Sequence, residues 1–215
     1  MAPPAIVLGA GACSLALAWT GLARAEAPQV TRATAPVYDS VVVFALPGGF
    51  QPGHEAERSG SYILELVPEG QTVQDWSEML TLTGADDLQG AAGMTAIQMV
   101  DWGLEEIARG YEAGCEGPII VEAFNDAPPR GAEDGVLAHV GCPKVTATGQ
   151  SEQMMFWVAV REGDLFTLQW AERGPATTEM VFDPPHWFDR YEILAQMSLC
   201  GPQPGEAAPY PSCLD

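Results

Sequence analysis

Three histidines, five cysteines and a surplus of carboxylates are the residues of this 215-residue chain that can do chemistry. General acid–base catalysis needs a group that titrates near neutrality, held against a nucleophile or a substrate. His54, His139 and His186 are far apart in sequence, and none adjoins a Ser or Cys in a nucleophile motif. His54 stands beside Glu55 and Glu57 and supplies half of a metal site, but a charged segment of this kind reads first as a solvated face. His139 falls in a short apolar strand beside Gly141-Cys142, where packing is the default role. His186 opens a helix, where the dipole disfavours an imidazolium and a neutral capping or packing role is simpler. No catalytic residue is predicted.

The paired carboxylates Asp86-Asp87, Glu105-Glu106 and Glu133-Asp134 could bind calcium only if loops brought them together, and the spacing of a dedicated calcium loop is missing. No metal site and no cofactor site is predicted. There is no P-loop, dinucleotide glycine fingerprint or zincin motif. Against 29 Asp and Glu stand 9 Lys and Arg, a formal charge of -20, which repels nucleic-acid phosphates and anionic lipid head groups alike. Such a surface suits a basic partner.

The chain opens with a mostly small and apolar run, Ala5 to Leu22, leading into Ala23-Arg24-Ala25, the small-x-small form that signal peptidase accepts. Residues 1–25 therefore read as an export signal, with cleavage after Ala25 or, as the alternative, after Ala27. Cys13 lacks the Leu three residues ahead that lipidation requires. The run is short and broken by Gly9, Gly11 and Gly21, so no stable membrane anchor is expected. The expected location is periplasmic or secreted. Cys115, Cys142, Cys200 and Cys213 remain, an even number in an oxidising compartment, which points to two disulfides. Three pairings exist, of which Cys115 with Cys142 and Cys200 with Cys213 are favoured. The second pair would close a loop rich in Pro and Gly and pin the tail. No close Cys-x-x-Cys pair supports zinc.

With 47% hydrophobic residues, one sizeable core is expected in residues 26–215, a single domain with a Pro/Gly-rich C-terminal tail. Residues 28–36 read as a polar lead-in, Val37 to Leu46 as a strand, and Pro47 to Gly53 as a loop. Tyr62 to Val67 is a strand; Thr72 followed by Asp75 suggests one helical turn before a strand from Met79 to Thr83. From Thr95 to Tyr111, residues Ile97, Val100, Leu104, Ile107 and Tyr111 form one apolar stripe of a helix, which Gly110 or Gly114 can end. Ile119 to Phe124 and Val136 to Val140 read as strands. Met154 to Trp170 is a β-hairpin turning at Arg161 to Asp164, with Met155 and Trp157 implying a second covered face. Asp183-Pro184-Pro185 starts the closing helix, Trp187 to Leu199. The expected fold is α+β, a largely antiparallel sheet of about six strands with two principal helices packed on it.

The block Glu69 to Leu82, with Trp76 followed by Met79-Leu80-Thr81, resembles a segment of uncharacterised small secreted proteins of Proteobacteria. Tyr111 to Cys115, the hairpin around Trp157 and Trp170, and Trp187 to Cys200 match the later pieces, so the resemblance covers about residues 60–200. It implies a compartment and a fold, and no reaction. The order of strand, long helix, several strands and terminal helix is also similar to PsbP-like and Mog1-like domains, whose members serve as assembly or binding proteins. A cone-shaped NTF2-like fold is the competing architecture.

Trp76 and Trp102 are the candidate partner surface: Trp102 lies off the apolar stripe between Asp101 and Gly103, and Trp76 lies at a segment boundary. The expected function is partner binding or envelope assembly without catalysis, the partner being a protein of the cell envelope. The alternatives are a small hydrolase or isomerase, for which His139, Glu122 and a hydroxyl must converge in a concave pocket, and a carrier of a small ligand or metal.

Overall fold

β-Branched and small residues alternate through the start of the described chain, residues 30–214 of a computed structural model, and they fold as a hairpin of β1 (Val30–Val37) and β2 (Ser40–Pro47). The turn is tight enough to place Tyr38 at φ 56. There follow β3 (Phe50–Arg58), β4 (Ser61–Pro68), β5 (Glu78–Ala85), the short α1 (Leu88–Ala92) and the long α2 (Ala96–Gly114). Then come β6 (Ile120–Phe124), β7 (Asp134–Cys142), β8 (Gln150–Arg161), β9 (Asp164–Pro175), α3 (Pro184–Leu194), β10 (Ser198–Cys200) and α4 (Pro211–Leu214). The export signal expected at residues 1–25, and Cys13, lie outside the described residues.

The fold is α+β, as the sequence predicts. Its main sheet has seven strands in the order β3-β4-β5-β9-β8-β7-β6, all antiparallel, and a second sheet runs β1-β2-β10. The expectation of about six strands falls short for identifiable reasons. The lead-in at 28–36 is largely β1, which pairs with β2 along its whole length. Pro47 to Gly53 is a turn and the start of β3, an edge strand that keeps its pairing through Pro52 because the register shifts between Pro52 and His54. Most of β3 is exposed, so it carries little of the apolar alternation by which strands are read. The helical turn expected at Thr72 is instead a tight reversal bridging Thr72 and Asp75. The closing helix stops at Leu194, and Ser198–Cys200 becomes β10 against β2.

The β8–β9 hairpin is the centre of the molecule. Met155, Trp157 and Ala159 enter one core with Phe166, Leu168 and Trp170, roofed by β1, β2 and α3 through Val42, Phe44, Trp187 and Leu194. Phe156, Val158 and Val160 enter a second core beneath α2. α2 begins with a reciprocal cap: the Gln98 amide donates to Thr95 Oγ1 at 3.4 Å, and the Thr95 amide donates to Gln98 Oε1 at 2.9 Å. Its buried line is Met99, Val100 and Gly103, whereas Ile97, expected on the stripe, is 64% exposed. The helix is therefore rotated from the expected stripe, because Gly103 seats it on the sheet where a side chain could not. Two disulfides, Cys115–Cys142 and Cys200–Cys213, close the C-terminal end of α2 onto β7 and the tail onto β10.

A Cβ added at Gly103 would meet Val158 Cγ1 at 2.8 Å and Leu165 Cδ1 at 3.0 Å, both on buried side chains. Gly103→Ala is expected to lower stability by about 1–3 kcal/mol through overpacking, although alanine is the better helix former. Urea unfolding followed by tryptophan fluorescence measures this, and an unchanged or raised midpoint would contradict the close seating.

Candidate functional site

α2 packs over β7, β8 and β9, and among the described residues no helix makes comparable contact with β4 and β5. The result is a groove of about 440 Å³ beside the helix. Ile107, Gly110, Tyr111 and Gly114 form its helical wall, spaced so that one side of α2 faces it. A Cβ at Gly110 or Gly114 would meet no atom within 4 Å. Ile63 and Met79 give the opposite side an apolar surface, and Thr81, Thr83 and Gln169 floor it. The floor is internally bonded: Thr83 and Thr167 hydroxyls lie 2.7 Å apart, and Gln169 Nε2 donates to Thr167 Oγ1 at 2.6 Å.

One end of the groove is built by four side chains acting together. The Arg173 guanidinium stacks on the Trp76 ring at 3.7 Å, and its Nε donates to Glu152 Oε2 at 2.9 Å. The Tyr111 hydroxyl donates to the other Glu152 oxygen at 3.0 Å. Burial, with the Glu152 charge adding to it, holds this phenol well above its ordinary pKa, so it stays a donor. Glu65, Glu106 and Glu152 line the groove; Arg173 at its end pairs with Glu152, and Arg109 pairs with Glu106. Trp76 is buried to 8% exposure in this wall, while Trp102 is half-buried against the core beneath α2 and lines a different region. The structure does not bring the two into one pocket.

The histidines are scattered. His54 is exposed on β3, directly across from Glu65. His186 Nε2 lies 2.7 Å from Glu172 Oε2, in a cluster where Arg190 bonds Glu172 at 2.6 Å and Glu78 at 3.1 Å and so ties α3 to the sheet. His139 is fully buried, its ring 4.7 Å from Phe182 and 5.0 Å from Trp187. Glu122 is its cross-strand partner, but Glu122 is exposed at the sheet edge, and no hydrogen bond reaches either ring nitrogen among the described residues. The convergence that a hydrolase would need is not formed by these two. Burial drives the His139 imidazole down to about 4, and nearby Gln153 offsets this only partly, without reaching ordinary hydrogen-bond geometry.

The paired acids serve the backbone or a neighbouring cation. Asp87 accepts the Gly90 amide at 3.0 Å, Glu133 the Glu162 amide at 2.7 Å and Asp134 the Gly135 amide at 2.8 Å, and Glu105 and Glu106 face Arg109. Among the described residues no group of three or more His, Cys, Asp or Glu could hold a metal ion. The groove itself escaped the sequence reading. Gly110 and Gly114 are four apart on a helix face, a signal for an open wall, but each also reads as a helix terminator.

No family model matches the chain, and no curated protein sequence matches it either. Solved structures show a remote likeness to the Mog1p and PsbP-like group. The Ran-binding protein Mog1p of Saccharomyces cerevisiae is 10% identical with a TM-score of 0.47, over 80% of this chain and 96% of that one. A cyanobacterial PsbP from Synechocystis is 12% identical with a TM-score of 0.42, over 89% and 98%. LpqN of Mycobacterium tuberculosis, described as involved in cell envelope biogenesis, is 10% identical with a TM-score of 0.37, over 79% and 91%.

His139 makes stability pH-dependent in a defined direction. Its folded pKa of about 4 lies below the unfolded value near 6.5, so the folded state holds fewer protons. Its contribution is complete above pH ~6.5 and is lost as pH falls toward ~4, by at most about 3 kcal/mol. NMR titration of the His139 ring should show it neutral at pH ~5.5, and His139→Leu should flatten the stability profile over that window. A ring titrating near 6.5 would contradict the burial argument.

Proposed function

We propose that the chain is exported, loses residues 1–25, and acts as a binding protein of the cell envelope, with the groove beside α2 as the seat of its partner. The observation that carries this is the groove's lining: apolar walls of Ile63, Met79 and Ile107, and the three carboxylates Glu65, Glu106 and Glu152 against two rim cations, Arg109 paired with Glu106 and Arg173 paired with Glu152. Apolar surface of this kind supplies affinity by burial, and the excess of carboxylates over cations along it favours a positively charged neighbour. The partner is therefore a protein segment that is apolar along one side and carries Lys or Arg beside it. Two disulfides support an oxidising compartment, and the likeness of the Glu69 to Leu82 block to secreted proteins of Proteobacteria supports the same location. The hydrolase or isomerase alternative draws no support from His139, which is sealed between Phe182 and Trp187.

The test uses the full chain expressed with its leader and recovered after export. Its amino terminus should begin at Glu26, or at Pro28 if cleavage follows Ala27. A photo-crosslinking residue at Ile63 or Ile107 should capture an envelope protein whose cross-linked segment is apolar and basic; one at Gln203 in the tail should not. Gly110→Phe fills the groove and should cut capture about tenfold or more, whereas Gly110→Ala, whose Cβ meets no atom, should raise stability by about 0.5–1 kcal/mol and leave the fold intact. Capture that survives Gly110→Phe, or none at either groove position, would sink the proposal.

A further inference from the structure

The two edges of the seven-stranded sheet are built differently. β3 is guarded as exposed edges usually are: it carries Pro52, a register shift at Gly53, and the charged or polar run His54, Glu55, Glu57 and Arg58. β6 has none of these. Its five residues, Ile120–Phe124, hold one charge, Glu122, no proline and no lysine, and pair with β7 without a break in register. Of its two edges one faces β7, and the backbone groups along the other make no bond to any described segment outside the sheet.

The side chains beside that edge are apolar on both faces apart from Glu122. On the α2 side stand Val121, 42% exposed, and Ala123. On the other side Phe124 shares its face with Leu137 and opens a pocket of about 250 Å³ with Phe182, Phe188 and Tyr191. Phe124 and Phe182 rings are 5.4 Å apart, and Phe188 is 56% exposed at the pocket mouth. Glu122 lies on the same face as Phe124, two residues back along the strand.

We propose that the free edge of β6 receives an extended segment of another protein as an eighth, antiparallel strand. Strand addition draws affinity from main-chain hydrogen bonds and specificity from alternate side chains. Here the register dictates the chemistry. The residue opposite Phe124 enters the aromatic pocket and is itself aromatic or large and apolar. Two residues later in the partner, opposite Glu122, stands Lys or Arg, and the alternate positions facing Val121 and Ala123 are apolar. The recognised sequence is aromatic-x-basic within an apolar strand. A second copy of this chain does not fit, because two β6 strands paired antiparallel about their centres set Glu122 against the same residue of the copy, and each copy carries a formal charge of -20. The site lies on a different edge and pocket from the groove beside α2 and stands without it.

The probe is the synthetic peptide Thr-Val-Phe-Val-Lys-Val-Thr, titrated against the oxidised, exported protein by calorimetry and hydrogen exchange. Its binding should slow exchange of the β6 amides. Two versions N-methylated on alternate residues have the same side chains and charge but block opposite edges of the peptide; one should lose binding about tenfold or more and the other should keep it. Exchanging the Phe and Lys positions should weaken binding to a similar degree, as should Phe188→Ser at its exposed site. Gly110→Phe should change nothing, which separates this site from the groove. Equal binding by the two N-methylated peptides, indifference to Phe188→Ser, or equal binding of the exchanged peptide would overturn the proposal. So would a dimer whose β6 amides are protected without peptide, since a second copy would then be the occupant.

Discussion

Every residue from Met154 to Val160 is buried, on both faces of one strand, and the rest of the fold answers that demand. A strand buried on both sides needs two covering layers, which few short chains supply symmetrically. On one side the layer is β1, β2 and β10 with α3; on the other it is mainly α2, with Leu88 of α1 and the segment around Trp76 beside it. A single helix is about 10 Å wide and covers two or three strands spaced about 4.8 Å apart. The sheet has seven. Coverage by one long helix therefore leaves much of the face of β4 and β5 open among the described residues, and the groove follows from the shortage of cover on that side.

Charge is arranged to suit. Arg109, Lys144, Arg161, Arg173 and Arg190 each sit against a carboxylate, so much of the scarce positive charge is consumed in holding elements together. Arg190 joins α3 to β5 and β9 through Glu78 and Glu172, and Arg173 braces Trp76 while bonding Glu152. These pairs are partly shielded from solvent, and their guanidinium stacking adds contact area as well as charge. At the groove Arg109 and Arg173 pair with Glu106 and Glu152, and Glu65 adds a third carboxylate.

The sequence made the centre legible and the periphery illegible. The β8–β9 hairpin was readable because Phe156, Val158 and Val160 alternate with Met155 and Trp157, and because Glu162-Gly163 is a turn in which both residues take positive φ. The helix at 95–114 was readable from its cap and periodicity, but its rotation was not, since Gly103 contributes closeness rather than hydrophobicity. β10 forms only because β2 is its partner, a pairing between distant parts of the chain that three residues cannot announce. β3 is hidden by its exposure and by a proline tolerated at a bulge. The spacing of the four cysteines points to the bridges that form, whereas Trp102, off the apolar stripe, and Trp76, at a segment boundary, lie in different surroundings, Trp76 in the groove wall and Trp102 against the core beneath α2.

Three glycines in one helix test whether the open wall is incidental. Each costs the helix about 0.5–1 kcal/mol relative to alanine. At Gly103 the cost is offset by the approach of α2 to Val158 and Leu165, which a methyl group would block. At Gly110 and Gly114 no atom stands within reach of a Cβ, so neither packing nor backbone conformation accounts for them. Both line the groove. Where a chain breaks a local rule without a structural return, the reason is sought in function. Here the two positions share a wall with Tyr111, whose hydroxyl is fixed to Glu152, and with Ile107, so widening this wall leaves its polar anchor and its apolar surface unchanged. Space is the property that the glycines confer, and it lies where a partner's backbone would approach the helix.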